Sequence, residues 1–261
     1  MNGYKKVFSI VYVVFFLCLT SLVGVEKSYS FVSEGVNIAY RLSKNIIIDL
    51  AKVGTKNGSK ALRTKIYEVA KNLPETEKVA FFEGTLVRVL QQQGRLSKNG
   101  SDEILRNLSG VKGFVGALSK SAGMSDAKAA GHLYEVKVAN ALVNNKFKVI
   151  EIGKSFKYPA QKGITDIDIV ATKGKKEYVF EIKNYSANSF DANTMINFRN
   201  DMQTLSVYSS QGSNIEKIMI ISHEPRDIMH SKLLNAYAME QNIKLIYASE
   251  QELHAVPLIL N

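Results

Sequence analysis

The chain has 261 residues, 46% apolar and 22% charged, with a formal charge of +10, a size and balance that give one large domain or two modest ones around a real core. Its one cysteine, Cys18, lies in an N-terminal apolar run, so the rest of the chain is excluded from disulfides, thiolate nucleophiles and cysteine-ligated metals. The basic excess sits early: residues 31–120 carry 15 Lys/Arg against 8 Asp/Glu, and residues 121–261 carry 16 against 15. Solvated helices show such an excess, and a phosphate-rich partner or an anionic membrane face would attract it.

At the N-terminus, Lys5 and Lys6 precede the charge-free run Val7–Val25, and Glu26, Lys27 and the small-x-small triplet Ser28-Tyr29-Ser30 follow. This is the layout of a secretory signal peptide. The run also approaches the ~20 residues that span a bilayer. Residues 1–30 are therefore expected to be a signal peptide or a signal-anchor, the chain being secreted or periplasmic in the first case and anchored by residues 7–25 in the second. Membrane contact is expected only through that segment. Cys18 lacks the small residues that precede a lipoprotein acceptor cysteine.

From Ser33 to about Leu118 the apolar spacing predicts helices, in "VNIAYRLSKNIIIDLAKV", "KALRTKIYEVAKNL" and "EKVAFFEGTLVRVLQQQG". The stretches "GTKNGS", "LPET" and "SKNGSDE" read as breakers between them, with Thr76 or Glu75 helping to start the third. This region, 31–120, carries no cluster of His, Asp or Glu with site-like spacing, and a small helical bundle or helical prodomain is expected. "VKGFVGALSKSAGMSDAKAAG" is rich in Gly, Ser and Ala and places a domain boundary near 120.

The second half, 121–261, has a different texture. Ser125 or Asp126 caps a helix to about Asn144; "FKVIEI" is a strand; Gly153–Gly163 is a loop; "TDIDIVA" and "EYVFEIK" are strands around a turn at "TKGKK". A helix around 194–209, a strand at 217–222, a helix near 227–241 and a strand at 243–248 complete an αβββαβαβ order. That order predicts an α/β fold, a mixed central sheet flanked by helices and preceded by the helical region.

Side chains alternate across a strand, so Asp166 and Asp168 share one face of "TDIDIVA" while Ile167 and Ile169 share the other. In "VFEIK", Glu181 and Lys183 share a face and Phe180 and Ile182 take its opposite. One face is then core, and the other presents three acids and a lysine. An amphipathic hairpin meeting water would show the same alternation. Against that stand the long apolar stretches on either side and the absence of Thr, Ser or Gln from the polar face. Carboxylates at close range repel unless a proton or a cation lies between them, and Mg²⁺ commonly takes one or two carboxylates plus phosphate oxygens. A lysine two residues from the acid reaches the same place, to orient a water or meet charge developing on phosphate.

These residues, from Gly131 to Tyr185, resemble the PD-(D/E)xK, or restriction-endonuclease-like, nuclease superfamily: a helix bearing an acid, a strand ending in an acid, then E-x-K on the next strand. The resemblance covers about 120 residues and none of the helical first half. It implies an αβββαβ core and Mg²⁺- or Mn²⁺-dependent hydrolysis of phosphodiester bonds in nucleic acid, DNA before RNA. Glu135, in "GHLYEVKVANAL", matches the helix acid, Asp168 the strand acid, and Glu181 and Lys183 the E-x-K pair. The family proline is absent, since Thr165 precedes Asp166 and Ile167 precedes Asp168; Asp168 is favoured as the ligand and Asp166 left as a supporting acid or a surface residue. Some branches carry a glutamine with a tyrosine one turn later on the next helix. Gln203 and Tyr208 are five apart, so the resemblance carries over only Gln203. By this likeness Asp168, Glu181 and the Ile182 carbonyl hold the metal, Glu135 completes or tunes its shell, and Lys183 orients the attacking water.

His132, His223 and His230 lie on three elements, with a capping or surface role expected for His223. Tyr185 and Phe190 are either stacking platforms for bases or ordinary loop anchors, and Lys154, Lys157 and Lys162 are candidates to neutralise phosphates. Two functions remain open. One is an exported nuclease, a toxin or effector with an immunity partner covering its site. The other is a catalytically inactive nuclease-like binding or assembly module.

Overall fold

A computed structural model describes residues 35–157, 164–208 and 214–256. The expected signal segment and Lys162 lie outside them. Among the described residues no helix is long and apolar enough to cross a membrane.

The first half is helical. A helical segment over 35–40 leads to α1 (Lys44–Ala70), α2 (Glu75–Gln92), α3 (Lys98–Leu108) and α4 (Phe114–Gly123). One expected breaker holds and one does not. "GTKNGS" interrupts α1 at Gly58, where φ is +85° and two helical segments meet at a kink. "SKNGSDE" opens α3, because the Ser97 side chain accepts the Gly100 N–H at 3.2 Å and so satisfies one of the free donors of the first turn. At α2 the cap position is Pro74, with no side-chain cap. Glu75 and Glu77 fill the first turn instead, where their charge opposes the helix dipole.

The boundary expected near 120 falls inside α4, and helices on both sides of it share one core with the sheet. The join is tight. The Ile152 N–H donates to the Lys112 carbonyl at 2.9 Å, and Lys112 pairs with Glu151 at 2.9 Å. Gly113, at φ +86°, lies against Ile152 so closely that a Cβ there would fall 1.8 Å from its carbonyl oxygen, which leaves only glycine possible.

The second half follows the expected order: α5 (Asp126–Asn144), β1 (Lys148–Lys157), β2 (Ile164–Lys173), β3 (Lys176–Lys183), α6 (Ala192–Val207), β4 (Ile215–Ile221), α7 (Ile228–Glu240) and β5 (Lys244–Tyr247). The sheet runs β1-β2-β3-β4-β5, its first two pairings antiparallel and its last two parallel. This is the α/β class predicted, a mixed sheet flanked by helices and preceded by helices. One loop was misplaced. Strand β1 continues to Lys157, with Lys154 opposite Ile167 and Lys157 opposite Ile164, because a register shift between Val149 and Glu151 carries the pairing past Gly153.

The expectation that only one face of the strands is core is overturned. Ile169, Phe180 and Ile182 pack with the helical half, among them Leu133 and Tyr134 of α5. On the other face Val170 and Val179 pack under α6 with Phe198, Met202 and Leu205. Ile167 joins this second cluster rather than the one holding Ile169, beyond the point where the β2–β3 ladder ends at Ile169 opposite Phe180. The polar residues of β2 and β3 therefore lie at the edge of a covered face, and α6 shuts most of that face from water.

Candidate active site

The site assembles where β2 and β3 part. No ladder pair follows Ile169–Phe180, and the side chain of Asp168 takes over: its Oδ2 accepts the Ile182 N–H at 2.7 Å. This bond fixes the Asp168 carboxylate against β3, next to Glu181, which is only 8% exposed. Lys183 donates to Glu181 Oε1 at 2.8 Å and to Asp201 Oδ2 at 2.9 Å. Glu135 arrives from α5, which is held to the far end of the sheet by the buried Tyr134 hydroxyl donating to the Ala248 carbonyl. Its carboxylate also meets His132 Nδ1 at 2.9 Å.

The titration behaviour records how close these groups are. Asp168 is held well above the ordinary carboxylate range, first by burial and then by the charges of Glu181 and Glu135, with Lys183 and the Ile182 N–H pulling the other way. Glu181 rises to about 7: burial pushes it up, Lys183 opposes, and Asp201 and Glu135 add to the rise. Burial lowers Lys183, yet Glu181, Asp201 and Asp168 together hold it above the ordinary lysine value. Lys183 thus stays an ammonium, and the excess of negative charge falls on the acids.

Of the predicted residues, Glu135, Asp168, Glu181 and Lys183 come together, with Ile182 on the same strand. Gln203 does not join them. It is exposed on the far flank of α6, in a groove of about 600 Å³ shared with Arg199, His230 and Tyr237 of α6 and α7. The residue that α6 contributes is Asp201, which the sequence reading passed over. Its signal was there: the buried stripe of α6 runs Met195, Phe198, Met202, Leu205, and Asp201 lies three residues after Phe198, an acid at the border of that stripe.

The remaining candidates have ordinary work. Asp166 is exposed and accepts the Ser155 hydroxyl at 2.8 Å. Tyr185 and Phe190 are anchors, with ring centroids 5.3 Å and 5.6 Å from that of Phe198. Lys154 lies over the Tyr208 ring at 5.5 Å, and Lys157 is exposed. His223 Nδ1 lies 3.0 Å from the Tyr185 carbonyl, and His230 lies 3.8 Å from Asp227, the cap of α7.

Among the described residues no three His, Cys, Asp or Glu side chains are gathered at metal-ligand spacing. The donor chemistry still suits a hard divalent cation, since Asp168 and Glu181 offer only oxygen, and burial with neighbouring acids raises the proton affinity of both, which a cation would relieve. Mg²⁺ keeps several waters and needs only one or two protein carboxylates.

No family model matches the chain, and no curated protein matches it. Among solved structures, the crystal structure of protein VC1899 from Vibrio cholerae aligns over 84% of this chain at 12% identity, with a TM-score of 0.31. The chain spans 56% of that protein, and a similarity at this level adds nothing on function.

Proposed function

We propose that the chain is a metal-dependent nuclease, exported, that hydrolyses phosphodiester bonds of nucleic acid, with DNA as the first substrate to test. The observation that supports this reading is the grouping of Asp168 and Glu181, from two strands, about the largely buried Lys183 ammonium, with Glu135 of α5 close enough for its charge to act on both acids. Asp168, Glu181 and the Ile182 carbonyl would hold the metal, with Glu135 beside them. A bound Mg²⁺ or Mn²⁺ would supply Lewis-acid polarisation of the phosphate and a more acidic water. Lys183, fixed as an ammonium by Glu181 and Asp201, orients the attacking water and offsets charge on the phosphoryl oxygens.

Incubating the purified chain with circular DNA, linear DNA and RNA, with and without Mg²⁺ or Mn²⁺, tests this. Metal-dependent cutting that falls at least a hundredfold in Asp168→Asn and Lys183→Ala, on the order expected for loss of a charge-stabilising group, supports it. Intact substrates in every arm overturn it. The reading as an inactive module draws on Lys183, which already neutralises Glu181 and Asp201. It predicts no gain in thermal stability with Mg²⁺, whereas a live site gains through binding to the folded state alone.

A further inference from the structure

The acid cluster accounts for the charge of the sheet but not for that of the helical half. Between residues 41 and 71 there are 8 Lys/Arg and 2 Asp/Glu, and all ten side chains are exposed. The acids are spoken for locally, Asp49 by Lys52 and Glu68 by Lys65, in open pairs worth little. Arg41, Lys44, Lys56, Lys60, Arg63 and Lys71 have no ion pair among the described residues.

Their placement follows from how α1 packs. Ile47, Leu50, Leu62 and Ile66 turn inward, each at 4% exposure or less. Gly123 of α4 presses on α1 so closely that a Cβ there would come within 2.4 Å of Ser59 Cα. With the buried residues of its two segments, on either side of the Gly58 kink, taken up by the core, Lys56, Lys60 and the C-cap residue Lys71 are left exposed to solvent. A helix that binds a bilayer surface keeps a continuous apolar face to sink among the acyl chains; the exposed apolar residues of α1, Ile46, Tyr67 and Val69, form none, since Ile46 lies across the kink and residues two apart do not share a face. A set of exposed cations without ion pairs is what a regularly spaced polyanion complements, since a duplex presents one charge per ~1.7 Å of its axis.

We propose that the outer face of α1 is a second, sequence-independent nucleic-acid surface, which holds the phosphate backbone away from the acid cluster. It rests on the nuclease reading only for the identity of the polyanion. The surface supplies affinity and no chemistry. It also gives the helical half a task that its lack of site-like residues left without one.

The test is fluorescence anisotropy with the full chain and a labelled DNA duplex, without divalent metal so that nothing is cut, across a salt series. A variant carrying Lys56→Gln, Lys60→Gln, Arg63→Gln and Lys71→Gln changes only exposed side chains, and a thermal melt checks that it is folded. The wild-type salt slope is expected to become shallower by about 3 to 4 in the variant, close to one unit for each phosphate contact removed. Hydrolysis of a small phosphodiester with Mg²⁺ should stay at the wild-type rate. An unchanged slope overturns the proposal, as does a wild-type chain that fails to bind the duplex at low salt. Loss of binding to phosphatidylserine vesicles with duplex binding intact overturns it in favour of a membrane surface. If the small diester is never hydrolysed but the slope still falls, the nuclease reading fails and the binding surface stands.

Discussion

Glu83 in α2 and Glu181 in β3 are both buried glutamates, 1% and 8% exposed, and burial raises the proton affinity of both. Their surroundings separate them. Glu83 meets only neutral donors, the Ser109 hydroxyl and the Gly110 N–H at 3.0 Å, and so holds the turn after α3 against α2. Glu181 meets Lys183 and stands in the field of Asp201 and Glu135. Burial alone therefore does not separate the two acids. What separates them is several like charges gathered around one opposite charge, an arrangement costly to bury.

The largest effect should come from removing that one opposite charge. Lys183→Met leaves Glu181, Asp168 and Asp201 uncompensated, and above neutral pH it should lower unfolding free energy by about 3–5 kcal/mol. The loss should shrink in acid, where the carboxyls take up protons. Denaturant titration at two pH values checks this; equal losses at both would mean that Lys183 acts by packing rather than charge.

Next comes the pH dependence of the metal-free wild type. The folded-state value of Glu181, about 7, lies above its ordinary 4.5, so between those values the folded protein binds more protons than the unfolded chain. Stability must then fall as pH rises through that window, by an amount on the order of 3 kcal/mol. Asp168 and Glu83, also raised, add with the same sign. Lys183, held above its ordinary value, contributes steadily across the window and loses its contribution only in strong alkali. Glu181→Gln should flatten the decline, and a wild-type curve that rises over this range would contradict the crowding.

A smaller effect belongs to the quiet acid. Glu83→Ala strips Ser109 and Gly110 of their partner and should cost about 1–3 kcal/mol, with cleavage unchanged. Reduced cleavage at full stability in this variant would erase the distinction drawn between the two glutamates.

How much of this was legible beforehand divides along physical lines. The strand order and three of the clustered residues could be read because alternation in "TDIDIVA" and "VFEIK" puts Asp168, Glu181 and Lys183 on one side, and twofold alternation is a local rule; Glu135 came from the family resemblance alone. That α6 would cover that side was not legible, since it depends on which helix crosses the sheet, and the same fact hid Asp201 and left Gln203 outside the cluster. In the helical half "GTKNGS" was legible, since Gly58 takes a non-helical φ of +85° at the kink in α1. "SKNGSDE" was not, because glycine and asparagine argue against a helix only until a cap such as Ser97 outweighs their propensity. The boundary near 120 was read from composition, and the small residues of α4 serve close packing instead.

The smallest effect sharpens the comparison most. Asp201→Asn keeps shape and hydrogen bonding near Lys183 but removes one of the charges that raise Glu181. Stability at acid pH should hardly change, because the acids there are largely protonated. The upper end of the stability decline, set near 7 by Glu181, should move to lower pH, and cleavage should fall about tenfold as Lys183 loses one of two anchors, a loss on the order of that for a single positioning contact. A structural role for Asp201 would lower stability evenly at all pH values and leave that upper end in place. The stability curve of this one variant, measured without metal, therefore tells whether α6 merely roofs the acid cluster or sets its charge.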